Sequence, residues 1–255
     1  FFIQGPDADL REVKALYEAP SSIPHPVDNP ADTAKIALGQ DLFFDPGLSK
    51  TGDVSCATCH DPGHGFEDGR ARSVGVTRER LGRHTPTILN LAWSQTYFWD
   101  GRAMTLEEQA IGPLTADAEM GMTPDQLIKT VAQDAHYAAS FKKIFPDTGI
   151  TIETIAMAIA AFERTLVSKA SPFDRWIAGQ EGAITTSAKR GFKLFNGKAR
   201  CAQCHTGWNF TDDGFHDIGL KSEDQGRYAI LEFPTMRHAF KTPGLRNIKE
   251  RAPYM

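Results

Sequence analysis

Two five-residue motifs constrain this chain more than any other feature: Cys56-Ala-Thr-Cys59-His60 and Cys201-Ala-Gln-Cys204-His205. Together they use all four cysteines, so none is left over for a disulfide. A Cys-x-x-Cys-His run is the mark of covalent haem attachment of the c type. The two thiols add across the haem vinyl groups, and the adjacent histidine is held under the iron. A zinc site drawn from both pairs would need ligands about 140 residues apart, far beyond ribbon spacing. A thioredoxin-like motif leaves the histidine after each pair unexplained. The motifs therefore predict two haem c groups, one on Cys56 and Cys59 and one on Cys201 and Cys204. His60 and His205 are the expected iron ligands. Attachment of this kind takes place outside the cytoplasm, so a periplasmic location is expected.

The rest of the composition narrows the setting. With 255 residues, 41% hydrophobic and 24% charged, the chain can bury a sizeable core as one large domain or two smaller ones. A formal net charge of -4 and the lack of a Lys/Arg run give no reason to expect nucleic acid as a partner. No uninterrupted apolar stretch is long enough to span a membrane. The chain opens at Phe1 without a basic leader and stops in RAPYM (251–255), so both ends read as trimmed.

Local patterns predict a mainly α protein. PSSIPHPVDNP (20–30) reads as an extended lead-in, ADTAKIALGQDLFF (31–44) as a helix ended by Pro46, and 61–90 as a long ordered loop. TLEEQA (105–110) begins a helix with Thr105 and Glu108 as a capping box. TPDQLIKTVAQ (123–133) begins another, with Thr123 as cap and Pro124 at its first position. TIETIAMAIAAFERTLV (151–167) is apolar on most faces and is expected to be buried; SAKRGFKLFNG (187–197) is a shorter helix that Gly197 closes. LGQDLFFD (38–45) and RGFKLFNG (190–197) share a glycine followed by Leu-Phe, and each precedes one Cys-x-x-Cys-His. Such a unit, repeated once at long range, predicts two haem domains, 1–168 and 169–255.

In order along the chain, IPHPVDNP, ALGQDLFFDPGLS, SCATCH, TPTILN, YFWDGRAMTLEEQAIGPL, CAQCHTG and FKTPGLRN resemble the bacterial di-haem cytochrome c peroxidases and their MauG-type relatives. The resemblance runs from about Ile23 onward. It implies two mostly helical, cytochrome c-like domains with one haem each, the N-terminal haem reacting with hydrogen peroxide and the C-terminal one relaying electrons. It also implies a redox partner: a small cytochrome c, a cupredoxin, or a protein whose side chains are oxidised. By position, Trp99 matches the family tryptophan between the haems, and Gln109, Pro113 and Glu119 match residues on the distal side of the N-terminal haem. A carboxylate there can take a proton from peroxide and return it to the leaving oxygen. The plainer alternatives are a core-filling Trp99, a solvated loop acid at 119 and an ordinary polar helix residue at 109. A further alternative for the whole protein is a di-haem electron carrier without chemistry of its own.

Two departures from the family pattern follow. Where peroxidases that need reductive activation carry a distal histidine, sixteen residues after His60, this chain has Val76, which cannot ligate iron. The N-terminal haem is then expected to be open, as in the MauG-type branch, with His64 and His84 as the nearby alternatives. His84 stands where the family has an asparagine that helps to bind Ca²⁺, and Ca²⁺ prefers oxygen ligands, so the histidine speaks against the calcium site that the resemblance implies. The sixth ligand of the C-terminal haem, methionine or tyrosine in the family, is expected beyond residue 255, with Met236 and His238 as alternatives inside the chain.

Overall fold

The computed structural model describes residues 10–254; residues 1–9 and 255, which the expected domains include, lie outside the described residues. The described helices are α1 (Leu10–Ala15), α2 (Thr33–Phe44), α3 (Cys56–Cys59), α4 (Leu106–Thr115), α5 (Pro124–Gln133), α6 (Ala135–Ile144), α7 (Ile152–Glu163), α8 (Pro172–Ile177), α9 (Thr186–Asn196) and α10 (Tyr228–Leu231). Two short strands, β1 (Phe215–His216) and β2 (Phe240–Lys241), pair antiparallel, and the fold is mainly helical.

The chain forms two compact units. One holds Ile23–Phe98, Arg102–Val167 and the residues from Asn247 onward; the other holds the described residues up to Ser22, Trp99–Gly101 and Ser168–Arg246.

The first unit is built on α2 and α7. Nine of the twelve α7 residues are buried, so this helix is covered on nearly every side, as its uninterrupted apolar run requires. Gly39 permits the close approach: a Cβ there would lie 1.9 Å from the Ala158 carbonyl oxygen. Phe43 and Phe162 meet beside it with centroids 5.3 Å apart. Local chemistry sets the helix ends. The Asp32, Thr123 and Thr151 side chains each accept from the third residue of the helix that follows, Lys35, Gln126 and Thr154. The box expected at α4 forms differently: Thr105 accepts from Glu108 N, but the Glu108 carboxylate reaches back to Met104 N at 2.7 Å. Helix α7 also stops at Glu163, short of the expected Val167, because Thr165 turns its hydroxyl onto the Phe162 carbonyl at 2.7 Å and competes with the helical ladder.

The second unit packs aromatic rings around Tyr17, which is fully buried. Its centroid lies 5.1 Å from Phe192 and 5.2 Å from Phe210, and its hydroxyl donates to Asn196 Oδ1 at 2.7 Å. This buried ring, with Val13 of α1, is why residues 10–22 cluster with Ser168–Arg246 and not with the N-terminal stretch to which the expected boundary assigned them. Arg246 ties the loop after the second cysteine motif to α8, giving two hydrogen bonds to the Asp174 carboxylate at 2.7 and 3.0 Å and one to the Trp208 carbonyl at 2.6 Å.

Candidate active site

Each Cys-x-x-Cys-His motif is a tight turn whose histidine N–H donates to the first cysteine's carbonyl, His60 to Cys56 and His205 to Cys201, both at 2.9 Å. In each, the Nδ1–H of the ring donates to a phenylalanine carbonyl at 3.0 Å, Phe66 for His60 and Phe210 for His205. Both phenylalanines have positive φ, 60° and 56°, which turns the carbonyl toward the imidazole. A carbonyl on Nδ1 fixes the tautomer and leaves Nε2 as the basic atom for a metal. Burial pushes the His60 pKa down, which keeps that ring neutral and ready to ligate. Burial likewise raises the thiols of Cys56 and Cys59, the latter to about 11. The donor set, two thiols and one imidazole per motif, suits a covalently bound haem. Phe66 and Phe210 escaped the sequence analysis, although each follows its motif by five or six residues and precedes a short acidic, glycine-containing turn.

The residues expected on the distal side gather in the first unit, around α4 and the loop that follows it. Gln109 lies on α4, and its Oε1 is buried without a hydrogen-bond partner. Four residues on, Pro113 has no N–H to return to the Gln109 carbonyl, and its own carbonyl accepts from Met120 N at 3.1 Å. This folds 116–121 back over the helix end. Two further strands of chain hold the loop: Lys50 N donates to the Met120 carbonyl at 2.8 Å and Val76 N to the Glu119 carbonyl at 2.9 Å. Only glycine serves at 75, because a Cβ there would stand 2.0 Å from the Ala118 carbonyl oxygen. Val76, the residue at the histidine position, is therefore bonded directly to the Glu119 backbone. Glu119 itself is half-buried, and desolvation raises its pKa against the pull of Arg102. Its charge registers at both Cys56 and Cys59.

His64 and His84 are engaged elsewhere. His64 Nδ1 pairs with Asp61 at 2.9 Å in an exposed position. His84 donates from Nδ1 to the Arg70 carbonyl at 2.8 Å and from Nε2 to Glu67 at 3.1 Å, and the Glu67 bond leads the upward shift of its pKa. Arg251 approaches the other Glu67 oxygen at 3.3 Å, so a buried carboxylate already has a partner at each oxygen here.

Trp99 belongs to the second unit, with His205. Its carbonyl accepts from Lys241 N at 2.8 Å, and the next two carbonyls, of Asp100 and Gly101, accept from Arg227 at 2.8 and 3.2 Å. Gly101 has φ +66°, and a Cβ would fall 2.3 Å from both Arg227 and the Phe215 ring. Trp99 is half-buried, whereas Trp176 is 1% exposed in the aromatic core. Of the ligand alternatives, Met236 is half-buried and His238 gives Nδ1 to the Asp224 carbonyl at 2.9 Å. Among the described residues the one grouping with metal-ligand spacing is Cys204, Asp212 and His216. It draws on a single motif, and haem attachment takes its thiol.

The family model for di-haem cytochrome c peroxidases matches residues 33–182. The chain belongs to this family. It is 49% identical over 251 residues to the methylamine utilization protein MauG of Methylorubrum extorquens, covering 97% of this chain and 71% of that one. The cytochrome c551 peroxidase of Pseudomonas aeruginosa is 34% identical over 264 residues, covering 96% and 76%. Among solved structures, a MauG-like protein associated with microbial copper homeostasis superposes with a TM-score of 0.85 at 33% identity, covering 94% and 77%. As a di-haem peroxidase, the chain carries two covalently bound haem c groups and is a haem-dependent oxidoreductase that acts on hydrogen peroxide with a redox or protein partner. A carrier without chemistry is thereby set aside. No described helix is long and apolar enough to cross a membrane.

Proposed function

We propose that this di-haem enzyme is of the MauG type: it reacts with peroxide at an open haem on Cys56 and Cys59, and it draws electrons from tryptophan or tyrosine side chains of a partner protein. The carrying observation is Val76, hydrogen-bonded to the Glu119 backbone where a ligating histidine would stand. When bound, the two haems of this reading supply a peroxide-binding iron over His60 and a one-electron store over His205.

The chain's own residues do the rest. Glu119, whose pKa burial raises, accepts a proton from peroxide and returns it to the leaving oxygen. The unpartnered Gln109 Oε1 accepts the second peroxide O–H and orients it. Pro113 shapes the helix end that presents both. Trp99 passes oxidising equivalents to the unit that holds His205. The enzyme works in the periplasm, a reading supported by haem attachment of this kind taking place outside the cytoplasm. Calcium has no place in this reading, because both His84 ring nitrogens are engaged, by the Arg70 carbonyl and the Glu67 carboxylate, and its side chain offers no oxygen to a cation.

Electron paramagnetic resonance of the diferric protein tests the proposal. One high-spin and one low-spin haem are expected, with an immediate reaction on adding peroxide. Two low-spin signals, or inertness until half-reduced, would assign it to the peroxidases that need activation and take electrons from a small cytochrome or cupredoxin.

A further inference from the structure

Peroxide chemistry uses the half-buried Glu119 and leaves a buried acid without work. Glu163 closes α7 at 4% exposure, and its Oε2 has no hydrogen-bond partner. Its neighbour Arg164 is engaged: its two terminal guanidinium nitrogens each donate to the Glu107 carboxylate of α4, at 2.7 and 2.9 Å. Asn29 also donates to Glu107 at 2.6 Å, and Lys35 of α2 is spent on the Asn29 side chain and the Pro30 carbonyl. His25, in the lead-in, faces Arg164 and Lys35. The cations around Glu163 are thus already balanced, and a negative charge on it would stand uncompensated in the interior.

Glu163 nonetheless lies within electrostatic reach of the first cysteine motif. Cys56 packs on the same apolar cluster as Phe162, one residue before Glu163. Of the charges acting on the Cys56 thiol, Glu163 is the strongest, ahead of Glu119.

We propose that Glu163 is the proton-holding residue of the haem attached at Cys56 and Cys59, taking up one proton when that haem gains one electron and releasing it when the electron leaves. The electron comes from a one-electron donor and the proton from solvent; the carboxyl O–H is the only bond made or broken. The reason is electrostatic. Adding an electron makes the haem one unit more negative, and in a low-dielectric interior that charge repels a carboxylate far more strongly than water would allow. Glu163 meets the change by neutralising itself. Burial, with Glu107's charge added and Arg164 opposing, puts its pKa at about 8, so proton release to neutral solvent needs only a modest push from the more positive, oxidised haem. This inference rests on haem at His60 and is independent of which partner the enzyme oxidises.

Potentiometry of the haem-loaded full chain tests it, with haem content checked first by the pyridine haemochrome, so that a missing haem is told apart from a missing proton. The midpoint potential of the His60 haem is expected to fall as pH rises, approaching about 59 mV per tenfold change in proton activity for one proton per electron. It should level off where reduced-state Glu163 itself ionises, above the ordinary carboxylate range because burial raises it. Glu163→Gln should flatten this slope, and Glu119→Gln should keep it. A flat wild-type profile, or a slope that persists in Glu163→Gln, overturns the proposal. Should Glu163→Gln fail to fold, the wild-type infrared difference spectrum decides: a protonated-carboxyl C=O band must appear on reduction, and its absence refutes the assignment.

Discussion

Glu119, half-buried, and Glu163, buried, are two acids that act on one cysteine motif, and their surroundings give them different work. Glu119 lies on a loop tethered by Lys50, Val76 and Pro113, with Arg102 opposing its desolvation, so it can ionise and accept a proton. Glu163 lies at a helix end with its nearest cation already paired. A base must be ionised to act. The peroxide reaction should therefore slow as pH falls through a midpoint above 4.5, the ordinary value from which Glu119 is raised. Glu119→Gln should lose on the order of 10²–10⁴ in rate and lose this pH dependence with it. Stopped-flow mixing with peroxide measures both, and an unchanged rate would return Glu119 to the role of a loop acid. At this scale the sequence was readable wherever chemistry is local. The cysteines, histidines and Thr caps act on neighbours a few positions away. Glu163 was not readable, because its character depends on Arg164 being occupied by a residue 57 positions distant.

The repeated segments before the two motifs look equivalent in sequence, yet their glycines are not equivalent in the elements they form. On α2, Gly39 faces the Ala158 backbone across the α2–α7 contact, where a Cβ would be 1.9 Å from a carbonyl oxygen. No rotamer relieves that clash, so the helices would have to separate. On α9, a Cβ at Gly191 meets nothing within 4 Å. Gly39→Ala should therefore destabilise the protein by about 2 kcal/mol or more, overpacking exceeding the helix-propensity gain. Gly191→Ala should stabilise it by up to about 1 kcal/mol. Denaturant unfolding of the two variants should move in opposite directions; equal shifts would mean that the repeat reflects a shared packing role after all. The helices themselves were legible from periodicity and caps to within a few residues. Which helix pairs with which was not, because a glycine's purpose shows only in the surface opposite it.

At the scale of the whole molecule, the segment Trp99–Gly101 is the point of interest, since the chain leaves one unit for three residues and returns to it at Arg102. A segment of three residues contributes little to a core of its own, and Trp99 is only half-buried. What fixes it is backbone bonding, with three successive carbonyls held by Lys241 and Arg227. That arrangement holds the backbone that carries the ring. It also separates the two roles that sequence alone left open for this tryptophan. If Trp99 mainly fills space, Trp99→Phe should cost stability, as truncating a buried ring does, and leave the peroxide chemistry intact. If it carries oxidising equivalents between the haem-bearing units, the backbone bonds should hold the variant near wild-type stability. Both haems should remain attached, and the His60 haem should still consume peroxide. The His205 haem, however, should no longer share the oxidation, and turnover of a protein substrate should fall at least tenfold. Optical and paramagnetic resonance spectra taken after peroxide, set beside the thermal unfolding midpoint, separate the outcomes: loss of stability with retained charge sharing would leave Trp99 as packing alone.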